Sequence, residues 1–334
     1  MIYLLVALSC AAAASAILTG LVRAYAVRSA LLDVPNERSL HGAPTPRGGG
    51  VAIVLVTIAG LVGLVVARVI PAPVGWILGL GGALVAVVGW LDDRRGVSAP
   101  LRAAVHTLAG AWAVGWIWGE PTIGAILGAL GIVWAVNLYN FMDGIDGLAA
   151  GEAVSVGAIG GALLLAAGDT TLAMVALLVA AAAAGFLAWN WAPARIFMGD
   201  VGSGFLGYTF GALALLSHRA GAVPLALWLL LLGVFLFDAT VTLLRRMTRG
   251  ERWYQAHRLH AYQRLVQAGL SHAWVARLVL LVNLVLGALA WVAQMRYLSV
   301  AAAVLAGTVV LAVLYLAIER RRPMYAAAPD PTLP

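Results

Sequence analysis

The chain has 334 residues, of which 63% are hydrophobic and 10% are charged, whereas soluble proteins contain roughly 45–50% and 25%. This composition excludes a water-soluble globule. The net charge is +7 and every basic residue is arginine, which in a membrane protein indicates topology and attraction to anionic lipid. We therefore expect a lipid bilayer as partner and no nucleic acid.

Apolar segments follow one another along the whole chain, and helices of about twenty apolar residues cross a bilayer. The sequence predicts an all-α polytopic fold with about 10–11 transmembrane helices, in one domain over residues 1–322, followed by a short cytoplasmic tail at 323–334. Glycine pairs such as Gly81-Gly82 and Gly160-Gly161 predict close helix packing. The segments lie at about residues 2–22, 49–67, 74–91, 100–118, 122–140, 151–168, 171–189, 204–217, 223–243, 273–293 and 297–318.

Arginine is unevenly distributed over the predicted connections. Eighteen of the 21 arginines lie on or beside one face, whereas Arg68, Arg219 and Arg296 lie on the other. By the positive-inside rule, the arginine-rich face is cytoplasmic. This places the N-terminus outside, the C-terminus inside and the protein in the cytoplasmic (inner) membrane.

The carboxylates favour the same side. Glu120 and Asp169 fall on outer connections, and the other twelve fall in cytoplasmic loops or at cytoplasmic helix ends. An ion-coupled transporter usually holds its carboxylates near the bilayer midplane. The pattern therefore favours a membrane-embedded enzyme that meets one substrate in the cytosol and another in the lipid. A transporter of an anionic solute and a scaffold protein are the alternatives.

The first two cytoplasmic connections carry unusual residues. The loop from Asp33 to Gly50 contains Arg47 and three successive glycines, which either let backbone amides approach a phosphate or form a flexible solvated loop. Asp92 and Asp93 are adjacent at a predicted helix end, where they repel one another and lose hydration. They indicate a cation site or a proton acceptor, unless the two arginines that follow simply neutralise the helix end.

Polar residues recur every three positions at the next cytoplasmic helix end, and on a helix they would form a stripe that drifts around the axis. Carboxylate oxygens suit Mg²⁺, which takes one or two of them and completes its shell with water and substrate phosphate. The alternative is a capped helix end. The residues of this stripe are Asn137, Asn140, Asp143 and Asp146.

Two further cytoplasmic loops hold candidate residues. Asp200 follows Asn190 and Phe197 and lies between glycines at a helix entry, so it is either a capping-region residue or a functional carboxylate. The larger loop at 245–272 either binds an anionic, sugar-bearing substrate or lies as a basic helix on anionic lipid. Its central residues are His257, Arg258, His260, Tyr262, Gln263 and Arg264.

Four of these motifs, in this order, resemble those of the polyprenyl-phosphate N-acetylhexosamine-1-phosphate transferases, also called glycosyltransferase family 4. The resemblance covers nearly the whole chain. It rests on Asp33-Val-Pro-Asn36 through Pro46-Arg47-Gly48-Gly49-Gly50, Leu91-Asp92-Asp93, Asn140-Phe-Met-Asp143-Gly-Ile-Asp146-Gly-Leu148 and Phe197-Met-Gly-Asp200-Val-Gly-Ser.

The resemblance implies Mg²⁺-dependent transfer of a sugar 1-phosphate from a UDP-N-acetylhexosamine to undecaprenyl phosphate, with release of UMP. By analogy Asp200 and Asp143 serve the Mg²⁺ and the diphosphate, and Asp92 or Asp93 deprotonates or positions the lipid phosphate. Asn140, Asp146, Asn190 and Phe197 lie around the nucleotide. The analogy adds His260 as a catalytic residue and Arg47, Arg258 and Arg264 as substrate contacts.

One element departs from the family pattern. Several branches carry a histidine-rich H-x-H-H element in the last large loop, and the matching stretch here is His260-Ala261-Tyr262-Gln263. This version resembles the O-antigen-initiating branch, which puts the donor sugar in doubt but leaves the reaction class unchanged. The sequence does not distinguish a homodimer from a monomer.

Overall fold

The structure is a computed structural model that describes residues 2–35, 40, 42–252 and 257–325. Asn36 of the first motif and residues 326–334 of the predicted tail lie outside the described residues. Thirteen helices are described: α1 (Ile2–Arg28), α2 (Gly50–Val66), α3 (Ala72–Arg95), α4 (Ala99–Trp118), α5 (Ile123–Met142), α6 (Leu148–Ala166), α7 (Thr170–Asn190), α8 (Asp200–Arg219), α9 (Leu225–Leu231), α10 (Gly233–Thr248), α11 (Ala261–Gln267), α12 (His272–Gln294) and α13 (Val300–Arg321).

The helices confirm an all-α polytopic membrane protein, and each of the eleven predicted segments is helical. Seven helices are long and apolar enough to cross a bilayer, and α9 with α10 would form an eighth span bent by 81°. The seven do not include α2, which has 17 residues, nor α4 and α8. The strands described are β1 (Leu32–Asp33) and β2 (Thr45–Pro46), which pair antiparallel in the first loop.

Helix α8 lies at the centre of the bundle, and most of its side chains are buried. The predicted glycine pairs are packing sites, as expected. A Cβ on Gly82 would lie 2.7 Å from the Phe205 ring, and one on Gly160 would lie 2.6 Å from the Trp228 ring. Small residues thus let α3 and α6 approach large buried aromatic side chains.

Two carboxylates are buried inside the bundle. Glu152, near the start of α6, and Asp238, within α10, are 0% and 5% exposed. Near the chain's end, Met324 is buried and the Tyr325 ring lies 3.7 Å from the Arg249 guanidinium carbon. The described part of the predicted tail therefore packs against the bundle.

Candidate active site

Asp93 joins the end of α3 to the start of α8. Its two carboxylate oxygens accept hydrogen bonds from the backbone N–H groups of Asp200, at 3.1 Å, and Val201, at 3.2 Å. The first N–H groups of a helix have no partner within the helix, and they lie at the positive end of its dipole. Gly199 has a φ of 77°, a conformation that glycine adopts without strain. A Cβ at this position would also collide with the Asp93 carboxylate. Asp93 is 3% exposed and holds α8 in place.

Asp200 is the first residue of α8, and its side chain is 31% exposed. One carboxylate oxygen accepts a 2.8 Å hydrogen bond from Asn140 Nδ2 on α5. The same amide nitrogen lies 3.2 Å from Ser203 Oγ. The sequence prediction that Asn140 and Asp200 share a site is thus matched by direct contact.

Arg102 was not among the predicted site residues, yet it bridges two of them. Its Nη1 lies 2.5 Å from Asp92 Oδ2 and 3.1 Å from Asp200 Oδ2. Asp92 also accepts a hydrogen bond from the Val97 backbone N–H at 2.5 Å. A sequence signal exists, because Arg102 lies in the first turn of α4, nine residues after Asp93, but in the sequence predictions Arg102 counts only as evidence of topology.

Asp143 caps the C-terminal end of α5 and faces the other acidic groups. Burial and the neighbouring carboxylates of Asp200, Asp93 and Asp146 raise the pKa of Asp143 well above its ordinary value. Crowding of this kind favours a bound cation, which would neutralise the carboxylates together.

Asp146 and Asn190 tie two loops together beside the carboxylates. Asp146 accepts a hydrogen bond from the Ala194 backbone N–H at 3.0 Å, and its other oxygen lies 3.3 Å from His272 Nδ1 on α12. The buried amide of Asn190 accepts from the Gly147 backbone N–H and donates to the Ile196 carbonyl. Both side chains are thus engaged within the protein, and contact with a nucleotide stays a prediction.

The glycine run after Arg47 packs against the loop before α8. The backbone N–H groups of Gly49 and Gly50 donate at 2.9 Å to the carbonyls of Phe197 and Met198. A Cβ on Gly50 would collide with the backbone of Gly202. The amides of Gly49 and Gly50 are thus used in backbone pairing, which fits neither a phosphate cradle nor a flexible solvated loop at these two residues.

Arg47 itself reaches the carboxylate cluster. Its Nη2 donates to the backbone carbonyl oxygen of Asp93. Its buried Nε has no hydrogen-bond partner among the described residues. Phe197 is half-buried, and its backbone N–H donates to the Pro46 carbonyl at 2.8 Å. The first loop and the loop before α8 therefore form one surface beside Asp93.

Helix α11 brings the histidine element to the same end of the bundle. Asp238 on α10 accepts hydrogen bonds from the backbone N–H groups of Ala261 and Tyr262, at 2.8 and 3.1 Å. The Tyr262 hydroxyl donates to the Phe141 carbonyl, two residues before Asp143. The buried His260 ring stacks on Phe141 with 6.4 Å between centroids. The part of the loop around α11 is thus fixed beside the carboxylate end of α5.

The other predicted residues of this loop differ in their surroundings. Arg258 is exposed, and burial together with the neighbouring His260 lowers the pKa of His257 to about 3, which favours the neutral form of His257. Arg264 is 1% exposed, and its Nη1 binds Glu319 at 2.6 Å and the Arg322 carbonyl at 2.8 Å. Arg264 therefore joins α11 to α13 instead of facing the carboxylates, contrary to the predicted substrate contact.

The donor set fits magnesium in a specific way. Among the described residues, no three acidic, histidine or cysteine side chains are close enough to enclose a metal ion. Mg²⁺ does not need such a cage, since it usually takes one or two carboxylates and fills its shell with water and substrate phosphates. Asp143 and Asp200 are the two carboxylates that such a site would use.

Comparison with known proteins agrees with this geometry. Residues 75–218, which include Asp92 to Asp200, match the family described as glycosyl transferase family 4. The decaprenyl-phosphate N-acetylglucosaminephosphotransferase of Mycolicibacterium smegmatis is 33% identical over 322 residues, covering 82% of this chain and 77% of the relative. The chain belongs to glycosyl transferase family 4.

Other members of family 4 support the same assignment. The undecaprenyl-phosphate alpha-N-acetylglucosaminyl 1-phosphate transferase of Escherichia coli is 30% identical over 275 residues, covering 75% of this chain and 72% of the relative. The phospho-N-acetylmuramoyl-pentapeptide-transferase of Moorella thermoacetica is 32% identical over 188 residues, covering 55% and 53%. The chain is thus an enzyme, a glycosyl-1-phosphate transferase, and the transporter alternative loses its support.

Proposed function

We propose that the protein transfers an N-acetylhexosamine 1-phosphate from a UDP-sugar to undecaprenyl phosphate in a Mg²⁺-dependent reaction that releases UMP. The observation that carries this proposal is the convergence of Asp92, Asp93, Asp143 and Asp200 with Arg102 at one end of the bundle. The arginine distribution supports placing this end at the cytoplasmic face of the inner membrane, where a nucleotide sugar and a membrane lipid phosphate meet.

The reaction forms one bond between phosphorus and oxygen and breaks another. An oxygen of the lipid phosphate attacks the phosphorus that bears the sugar, and the bond to the UMP oxygen breaks. The negative charge moves from the lipid phosphate onto UMP, which leaves. Catalysis of this kind depends mainly on positioning and charge neutralisation.

The contacts support a division of roles. Asp200 and Asp143 would hold the Mg²⁺, which supplies positive charge to the diphosphate when bound. Asp92 would deprotonate or position the lipid phosphate. Asp93 is less suited to this role, because it is buried and uses both oxygens to hold α8. Arg102 and the unpartnered Nε of Arg47 would bind phosphate oxygens. His260 and Arg258 would contact the donor from the loop.

An apolar cavity of about 410 Å³ supports the lipid acceptor. It lies between α10, α11, α12 and α13, and it reaches Tyr262, whose hydroxyl contacts the residue that precedes the α5 end. Isoprenoid chains bind by burial of apolar surface. We assign this cavity to the first isoprene units of undecaprenyl phosphate.

The donor sugar is the least defined part of the proposal. The relatives from M. smegmatis and E. coli carry N-acetylglucosamine in their names, so UDP-N-acetylglucosamine is the first donor to test. The Tyr-Gln version of the histidine element supports a role in initiating cell-surface polysaccharide of the O-antigen type.

Purified protein with undecaprenyl phosphate, Mg²⁺ and a panel of UDP-sugars tests the reaction. We expect UMP and a lipid-linked sugar diphosphate with at least one UDP-N-acetylhexosamine, and no product after addition of excess chelator. Release of UMP without a lipid product, or no UMP with any donor, would overturn the proposal. Solute uptake by vesicles without UMP release would instead favour a transporter.

A further inference from the structure

Glu152 is a fully buried carboxyl group that the proposed reaction does not use. It lies one turn into α6, is 0% exposed, and receives a 2.6 Å hydrogen bond from Asn283 Nδ2 on α12. The same amide nitrogen lies 2.8 Å from Ser155 Oγ. Asn283 is 2% exposed. The pair therefore forms a polar contact between two helices in an apolar environment.

Each member of this pair has one oxygen atom without a partner. Glu152 Oε1 and Asn283 Oδ1 are both buried and have no hydrogen-bond partner among the described residues. No described basic side chain is within 4.0 Å of the Glu152 carboxyl group, and its titratable neighbour on α5 is Tyr139. An ionised carboxylate here would be buried without a counter-charge, which is costly.

We propose that Glu152 is a neutral carboxylic acid that forms a two-hydrogen-bond ring with Asn283. The Asn283 amide donates to one Glu152 oxygen, and a hydroxyl on the other oxygen donates to Asn283 Oδ1. One proton satisfies both unpartnered oxygen atoms and removes the buried charge. A carboxylic acid and a primary amide have complementary donors and acceptors for this ring.

The ring is placed to position the carboxylate loop. α6 begins at Leu148, directly after the loop that carries Asp143 and Asp146, and α12 begins at His272, which contacts Asp146. A clamp between α6 and α12 therefore fixes both elements that support this loop. Glu152 and Asn283 are therefore positioning residues, and this role rests on the proposed function. The protonation state of Glu152 is independent of the proposed function.

Infrared difference spectroscopy tests the proton directly. At pH 7, we expect the wild-type protein to show the carbonyl band of a protonated carboxylic acid. This band should be lost in Glu152→Gln. It should be kept in Asp143→Asn, which would show that Asp143 is not its source. Glu120→Gln, at an exposed site, should remove no such band. If Glu152→Gln leaves every carboxylic acid band in place, Glu152 is ionised and the ring is wrong.

Activity of matched variants tests the positioning role. Glu152→Gln keeps the donor and acceptor pattern, so its kcat should stay within about twofold of wild type, whereas the apolar Glu152→Met should lose on the order of tenfold through misplacement of the loop. Equal loss in both variants would show that the charge is required, and no loss in either would remove the positioning role. If neither wild type nor variants have transferase activity, the infrared result still decides the protonation state.

Discussion

Asp92 and Asp93 are neighbours in sequence, but their surroundings differ. Asp93 is used in the architecture, with both oxygens on backbone N–H groups at the start of α8. Asp92 is held by the Arg102 side chain and one backbone N–H, and its side chain is 14% exposed. Both Asp93 oxygens are therefore occupied by the backbone of α8, whereas Asp92 lies beside an arginine side chain that is 35% exposed. These contacts give Asp93 a structural role and support our proposal that Asp92 is the reactive member of the pair.

Asp200→Asn keeps the size of the side chain and removes the charge proposed to bind Mg²⁺. We expect turnover to be abolished while the folded protein is still recovered, since asparagine has the size of aspartate and keeps one oxygen that can accept from Asn140 or Arg102. The measurement is UMP release against Mg²⁺ concentration. Asp169→Asn is the matched control, because Asp169 caps α7 at the predicted outer side and asparagine caps equally well. Normal turnover in Asp200→Asn would remove this carboxylate from the mechanism.

Arg102→Lys replaces a planar fork with a point charge at the bridge between Asp92 and Asp200. We expect kcat/KM to fall by about tenfold or more, which corresponds to about 1.4 kcal/mol of transition-state stabilisation. Steady-state kinetics with both substrates varied would measure it. Arg95→Lys, an exposed arginine at the end of α3, should have no effect. An unchanged kcat/KM in Arg102→Lys would show that Arg102 only balances charge.

Sequence patterns predicted the acidic residues of the site because carboxylates near apolar helices are costly and therefore informative. They missed Arg102, since arginine at the membrane edge also signals topology. They misplaced Arg264 for the opposite reason: a loop position next to His260 does not reveal that the side chain turns toward α13. The partner of a long side chain depends on tertiary packing, which spacing along one loop does not encode.

At the scale of elements, the carboxylate end is built where α3, α4, α5 and α8 meet. α8 begins against the end of α3, because Asp93 binds its first backbone N–H groups, and against α2, because Gly50 and Gly202 lack side chains. Hydropathy alone predicts the eleven apolar segments, and each of them is helical. It does not predict the 81° break between α9 and α10, since both halves lie within one continuous apolar segment.

Helix α11 is joined to α13 through one buried ion pair, which changes the expectation for Arg264→Lys. Arg264 makes both hydrogen bonds through Nη1, and the shorter lysine side chain does not reach that position, so it loses the bond to Glu319 or to the Arg322 carbonyl and we expect destabilisation of about 1.5–3 kcal/mol. The melting temperature in detergent should fall, while kcat/KM of the folded fraction stays near wild type. Arg258→Lys on the same loop is the exposed control. A normal melting temperature with reduced kcat/KM would return Arg264 to the substrate site.

For the whole molecule, the division of arginines into eighteen and three predicts the orientation of the bundle. Reporters that function only outside the cytoplasm should be active when fused near Glu120 or Asp169, and silent near Asp93, Asp200 or His260. The physical reason is the retention of arginine-rich connections on the cytoplasmic side. An active outer reporter near His260 would reverse the orientation and place the carboxylates outside.

The ion pairs of Glu319 form late in the synthesis of the chain, because Glu319 lies in the last described helix. Glu319 binds Arg245 on α10 and Arg264 on α11, and Arg264 also holds the Arg322 carbonyl. Ribosomal synthesis proceeds from the N-terminus, so every proposed carboxylate has been added once residue 200 is made. Arg264 gains its carboxylate partner only after α13 is added, more than a hundred residues later. A nascent chain that stops short of Glu319 thus carries all the acidic groups of the site, and the Asp238 contacts of Ala261 and Tyr262, but not the ion pair that joins α11 to α13.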